Sequence, residues 1–279
     1  MPAVQLARVK LQVGEIMTAF NQPAAFVRRL HALLDFYADR TYRPGESGAQ
    51  PPMLPHYLTP APVLRQVEAD LSLRARDDPQ AALALADTLW AEGYFETRLL
   101  AIHLLSILSP QPPHPLLARF TSWARATTEP ELLNRLLSSG RTRLQGERQD
   151  LWLAMIHDWL SSDALYDQAV GLRALLSIVD DDRFKNIPLI YDLLGPLLSS
   201  IPSSLHVEAA RVIEGLARRS PAETVFFLRQ VLASVQKDES RLVSRLVRRC
   251  LPFFDPQTQA KLRSALTDRS KRQEKQAGV

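Results

Sequence analysis

The chain has 279 residues, 46% of them hydrophobic and 7% aromatic, with ten glycines, one cysteine and a formal charge of +4. This apolar content excludes a disordered chain, and so few glycines and aromatics exclude an all-β fold, whose turns need glycine and whose strands favour rings. No run of about 18 uncharged apolar residues exists, which excludes a membrane-spanning helix.

The first predicted elements are a helix pair, "VQLARVKLQVGEIMTAF" and "AAFVRRLHALLDFYADR", with apolar residues at helical spacing. The start lacks a basic stretch followed by a continuous apolar run, so no signal peptide is expected. "TYRPGESGAQPPMLPHYLTPAP" is dense in Pro and Gly and reads as the longest irregular segment, of the kind that is often functional or mobile. A helix restarts at "TPAPVLRQVEADLSLRARDD", with Thr59 as N-cap and Pro60 at the first helical position. "PQAALALADTLWAEG" and "FETRLLAIHLLSILS" make a hairpin about a short turn. "HPLLARFTSWARA" and "EPELLNRLLSSGR" make another, which Gly140 is expected to close as a C-cap. Seven more amphipathic stretches follow, from "RQDLWLAMIHDWLSS" to "PQTQAKLRSALTD".

These hairpins repeat. Laying Tyr94–Leu108 over Leu165–Val179 matches Phe95 to Tyr166 and Glu96 to Asp167. Leu104, Leu105, Ser106 and Ile107 then match Leu175, Leu176, Ser177 and Ile178, at an offset of 71 residues. Later hairpins step by roughly 35–40 residues, the spacing of paired-helix repeats. No such hairpin buries its apolar face alone, so each stacks on the next. The predicted fold is an all-α, HEAT-like helical-hairpin solenoid over residues 1–267, with a concave surface suited to elongated partners and an unstructured basic tail over 268–279. Glu96 and Asp167 fall in a first helical turn, where a carboxylate complements the positive helix end. Trp90, Trp123, Trp152 and Trp159 sit among Leu and Ala and read as packing residues, as do Leu104 and Leu105.

Catalytic motifs are missing. The sequence holds no phosphate loop, no Gly-rich nucleotide fingerprint, no "HExxH", no cysteine pair and no "GxSxG". The six histidines show no metal-ligand spacing, and His103 and His157, among apolar residues, read as packing positions. "DDDR" at Asp180–Arg183 reads as a solvated loop. No cofactor or metal is expected. The lone Cys250 fits a reducing cytoplasm.

Charge is uneven. Residues 1–202 hold 19 Lys/Arg against 22 Asp/Glu, and residues 203–279 hold 15 against 8. On a helix through "ESRLVSRLVRRC", Arg241, Arg245 and Arg248 fall within about 60° of one another, opposite Val243, Leu246 and Cys250. Arg211, Arg218 and Arg219 occur one repeat earlier. Stacked repeats set these helices side by side, as a guanidinium ladder matched to phosphates. A solvated helix face explains the same stripe.

"LTPAPVLRQVEADL" and "ALADTLWAEGYFETRLLAIHLL" resemble the N-terminal half of the DNA alkylation repair proteins, HEAT-like alkylpurine DNA glycosylases. The matching positions are Thr59, Pro60, Leu64, Arg65, Leu89, Trp90, Glu96 and Arg98. The resemblance implies duplex DNA as partner and, for an active member, a glycosylase-type hydrolase. Such members carry aromatics and a catalytic Asp at the start of a helix in the next hairpin, with an Arg and a Trp on later helices. The corresponding stretch, Thr127–Gly140, has only Glu129 and Glu131 as carboxylates. Gln168 or Ala169 falls at the Arg position, and the Trp position falls near Val212. Three readings follow: a nucleic-acid-binding relative without excision, a scaffold holding a protein on its concave face, and a residual glycosylase using Glu96, Glu129 or Glu131.

Overall fold

A computed structural model describes residues 5–40, 53–109, 112–236 and 240–277. Its described residues form α-helices with short π and 3-10 segments and no strand. Most of the Pro- and Gly-rich stretch, residues 41–52, lies outside them. No described helix is long and apolar enough to cross a membrane.

The chain divides into two compact units, Met1–Gln149 and Asp150–Val279. The first holds α1 (Leu6–Met17), α2 (Pro23–Tyr37), α3 (Ala61–Asp77), α4 (Pro79–Ala91), α5 (Phe95–Ile107), α6 (His114–Ala126) and α7 (Pro130–Gly140). Odd-numbered helices pack in series, α1 on α3, α3 on α5 and α5 on α7; even-numbered ones back them. Five of the seven begin with Pro at the first or second position, where the missing N–H costs nothing. Each helix buries one apolar stripe; Leu100, Leu104 and Leu105 of α5 are fully covered.

The second unit holds α8 (Gln149–Leu160), α9 (Leu165–Val179), α10 (Ile187–Ser199), α11 (His206–Arg219), α12 (Pro221–Ser234), α13 (Ser240–Cys250) and α14 (Pro256–Ala277). Here α9, α11 and α13 form one layer, and α10, α12 and α14 the other. Two glycines permit the closest approaches. A Cβ on Gly171 would stand 2.9 Å from Leu160, and one on Gly215 would stand 2.6 Å from Val179. Trp152 and Trp159 are fully buried and meet edge to face at 6.2 Å, as packing residues do.

Four local expectations change. The tail expected to be unstructured over 268–279 instead continues α14 as far as Ala277. The N-cap of α3 is Pro60 rather than Thr59, whose buried hydroxyl makes no hydrogen bond. Gly140 does not end its helix: its φ is −60°, and the chain continues through a π-helical turn, Arg141–Gln145. That turn carries Arg143 to the C-terminal end of α5, where its guanidinium donates to the carbonyls of Ser106 and Ile107. Helix ends leave such carbonyls unpaired, and a basic side chain satisfies them. His157 points outward, its side chain 63% exposed beside Asp158, because Met155, Ile156 and Trp159 take the buried face of α8.

Candidate nucleic-acid interface

The basic surface is built by helix periodicity. α11 lies between α9 and α13 and buries His206, Ala209, Ala210, Val212, Ile213, Gly215, Leu216 and Ala217. What remains outward is a narrow stripe with Val207, Arg211 and Arg218 exposed and Glu208 and Glu214 half-buried. α13 buries Val243, Leu246, Val247 and Cys250, leaving Arg241, Arg245, Arg248 and Arg249 exposed. Burial pushes the Cys250 thiol up to about 12, so it is an inert core residue.

The arginines have different employments. Arg211, Arg241, Arg245 and Arg248 are exposed and form no ion pair with the described residues. Arg218 stands 3.6 Å from Asp180, an exposed pair. Arg219 is half-buried and donates to three carbonyls, Val179 (2.9 Å), Asp181 (3.1 Å) and Phe184 (2.5 Å). It closes the end of α9 and is not part of the open face. The acidic run beside it is folded rather than solvated at Asp181, whose carboxylate accepts from the Arg183 guanidinium and amide. Two basic residues of this layer were not singled out from sequence: Arg249, one turn beyond Arg245, and Arg173, 3.7 Å from Glu208. The i, i+4 spacing from Arg245 would have found the first.

In the first unit, the buried Glu96 of α5 reaches back to the segment before α3. One carboxylate oxygen accepts the backbone N–H groups of Tyr57 (3.0 Å) and Thr59 (3.3 Å), bracketing Leu58. Leu58 has φ +55°, a left-handed conformation that costs a non-glycine residue roughly 1–2 kcal/mol. The Tyr57 hydroxyl meets His31 Nδ1 at 2.8 Å, and His31 Nε2 lies 3.1 Å from Glu92. Burial, with Tyr94 stacked beside it, pushes the Tyr57 phenol up to about 12. Trp90 is nearly buried. It stacks on Trp123 with centroids 4.3 Å apart and planes 1° from parallel. The Arg98 guanidinium lies 4.7 Å from the Trp90 ring centroid and donates through Nε to the Trp90 carbonyl. Trp90, Glu96 and Arg98 thus lock the turn between α4 and α5 to both neighbouring repeats.

A family model described as DNA alkylation repair enzyme matches residues 55–249, which is 195 of the 279 residues. The chain belongs to the DNA alkylation repair family. No curated protein matches it. The matched region opens at the segment that Glu96 holds and closes on the arginine face of α13; α1, α2 and α14 lie outside it.

Within this DNA alkylation repair chain, the N-cap of α7 is Glu129, whose carboxylate accepts the N–H of Met53 at 2.9 Å. Glu131 is exposed in the first turn of α7. Gln168 is half-buried and donates to the carbonyl of Ser162, and Val212 is fully buried. Farther along α5 and α7, a cleft of about 240 Å³ is lined by Glu68, His103, Ser106, Arg135 and Thr142 among others. His103 Nε2 lies 2.8 Å from Ser72 Oγ and 3.0 Å from the Glu68 carbonyl, and burial lowers its pKa.

Proposed function

We propose that this DNA alkylation repair family member binds duplex DNA without sequence preference through the arginine face of α11 and α13, and does not excise alkylated bases. The observation that carries the reading is the set of exposed guanidiniums, Arg211, Arg241, Arg245 and Arg248, without carboxylate partners among the described residues. Exposed guanidiniums of this kind attract phosphates, and the affinity comes from released counterions. Nothing pairs these arginines with the Asn or Gln readers of a groove-entering helix, so base contacts are not implied. Against excision stand the lack of Asp between Thr127 and Gly140, the use of Glu129 on a backbone N–H, and the burial of Glu96 on two more. A glycosylase needs an available carboxylate to stabilise positive charge developing on the sugar.

The test is a salt titration of the full chain with mixed-sequence duplex. Changing Arg241, Arg245 and Arg248 to Ala should weaken binding, each lost phosphate contact removing about 0.9 from the logarithmic salt slope. Neutralising Lys271, Arg272 and Lys275 in the tail should leave most of that slope in place. Methylated DNA incubated with the same protein should release no free base. If the triple change leaves the slope intact, or neutralising the tail abolishes binding, the face is not a DNA site, and the protein-scaffold reading replaces it. Release of methylated base that Glu129→Gln or Glu131→Gln abolishes overturns the second half.

A further inference from the structure

The cleft of about 240 Å³ lies in the first unit and takes no part in the arginine face. Glu68 enters it from α3, His103 and Ser106 from α5, and Arg135 from α7. α5 packs on both neighbours, so side chains of opposite charge stand on the outer helices with a histidine between them. The tautomer of His103 is fixed by its partners. Nε2 lies 3.0 Å from the Glu68 carbonyl, which can only accept, and 2.8 Å from Ser72 Oγ, whose own proton goes to that same carbonyl. Nε2 therefore carries the hydrogen, and the neutral ring keeps its lone pair at Nδ1. Nδ1 has no protein partner among the described residues and is not enclosed, so it opens to solvent. The Ser106 hydroxyl spends its proton on the His103 carbonyl and offers the cleft only lone pairs. Glu68 is half-buried and Arg135 exposed, and neither forms an ion pair with the described residues. Arg143, the other guanidinium near Ser106, is taken up by the carbonyls of Ser106 and Ile107 and by Glu147 at 3.5 Å. Along α3 and α5 the lining thus presents acceptors. α7 brings the donors, the Arg135 guanidinium and the Ser138 hydroxyl.

We propose that this cleft binds a small zwitterion, an ammonium and a carboxylate on one short carbon frame, as in an amino acid. The ammonium has three hydrogens to place. The Glu68 carboxylate, His103 Nδ1 and Ser106 Oγ are the acceptors for them, and Glu68 also offsets the charge. The carboxylate of the ligand takes the fork of Arg135. Leu99 and Ile102 supply the apolar part of the lining, against which the methylenes lie. A simple anion meets Glu68 and a lone pair at the acceptor end and is repelled there. A simple amine leaves Arg135 unmatched. Only a ligand carrying both groups satisfies both ends, and its binding requires neither the arginine face nor DNA.

The experiment follows the ring nitrogens of His103 by NMR in the full chain, at constant pH and ionic strength, with signals assigned by His103→Gln. Glycine, β-alanine and 4-aminobutyrate, whose charged groups are progressively farther apart, are titrated to millimolar concentrations. Ethylamine and acetate form separate arms, and adenosine and cytidine another. At least one zwitterion should move Nδ1 while Nε2 stays bonded, and should bind at least about tenfold tighter than ethylamine or acetate. Arg135→Gln should weaken that zwitterion about tenfold and leave ethylamine unchanged, whereas Glu68→Gln should weaken both, each with an unchanged Tm. The proposal is overturned if no zwitterion moves Nδ1, or if ethylamine or acetate binds as tightly as the zwitterions. Full zwitterion affinity in Arg135→Gln overturns it too. A nucleoside that moves Nδ1 where the zwitterions do not makes the cleft a base pocket and overturns it as well.

Discussion

At the scale of single residues, side chains that look alike in the sequence do different work. Arg218 and Arg219 are neighbours; one holds an exposed pair with Asp180 and the other a set of carbonyls. Glu96 and Asp167 are equivalent by repeat. Glu96 holds a strained segment of the preceding repeat, whereas Asp167 accepts the Ser162 hydroxyl within its own hairpin. Removing the Glu96 carboxylate leaves the Tyr57 and Thr59 donors without an acceptor beside the left-handed Leu58. Glu96→Ala should therefore cost about 1–3 kcal/mol for each buried donor orphaned. Glu96→Gln retains one acceptor oxygen and should recover part of it. Trp90→Ala removes an indole sandwiched between Trp123 and the Arg98 side chain and should cost about 3–5 kcal/mol. Thermal melts of the three variants check the order; an unchanged Tm with Trp90→Ala would assign Trp90 to a binding site instead.

At the scale of elements, one device recurs. An arginine just past or at the end of one layer helix caps the end of the helix before it. Arg143 does so for α5 and Arg219 for α9. Each joins two repeats without using apolar surface, at the point where helix carbonyls lose their own partners. Hydrogen bonds from a charged donor are worth about 1.5–3 kcal/mol, and exposed ion pairs about 0–1 kcal/mol. Denaturant melts should therefore show Arg219→Ala losing about 2–3 kcal/mol and Arg218→Ala less than about 1 kcal/mol. Arg219→Lys should not rescue, because a single ammonium cannot span three carbonyls. Equal losses for Arg218→Ala and Arg219→Ala would remove the distinction between face and cap.

At the scale of the whole molecule, charge is divided between the ends of the chain. The net charge is −3 over residues 1–202 and +7 over 203–279, so the DNA-binding reading has a location. Duplex DNA should slow amide hydrogen exchange in α11 and α13 and leave α1 and α2 unchanged. Protection confined to 5–40 would place the contact outside the arginine face altogether. The helical layers themselves were legible from sequence, as were the packing roles of Trp90, Trp152, Trp159, Leu104 and Leu105 and the split of α13 into arginine and core faces. The pattern around Trp90, Glu96 and Arg98 was enough to indicate the family that the match to residues 55–249 shows.

What the sequence by itself determined is what depends on near neighbours along the chain. An amphipathic helix is written at i, i+3 and i+4, and the layer that covers its apolar stripe is a repeat away by construction. Only the tertiary structure decided which polar atoms meet. Glu96 finds its donors 37 and 39 residues back, Arg143 its carbonyls 36 and 37 back, and Arg219 its carbonyls 35 to 40 back. Helical periodicity fixes which way a side chain points from its own axis, but its partner is chosen by the register of a helix packed alongside, and that register is set by the close fit of neighbours such as Gly215 on Val179.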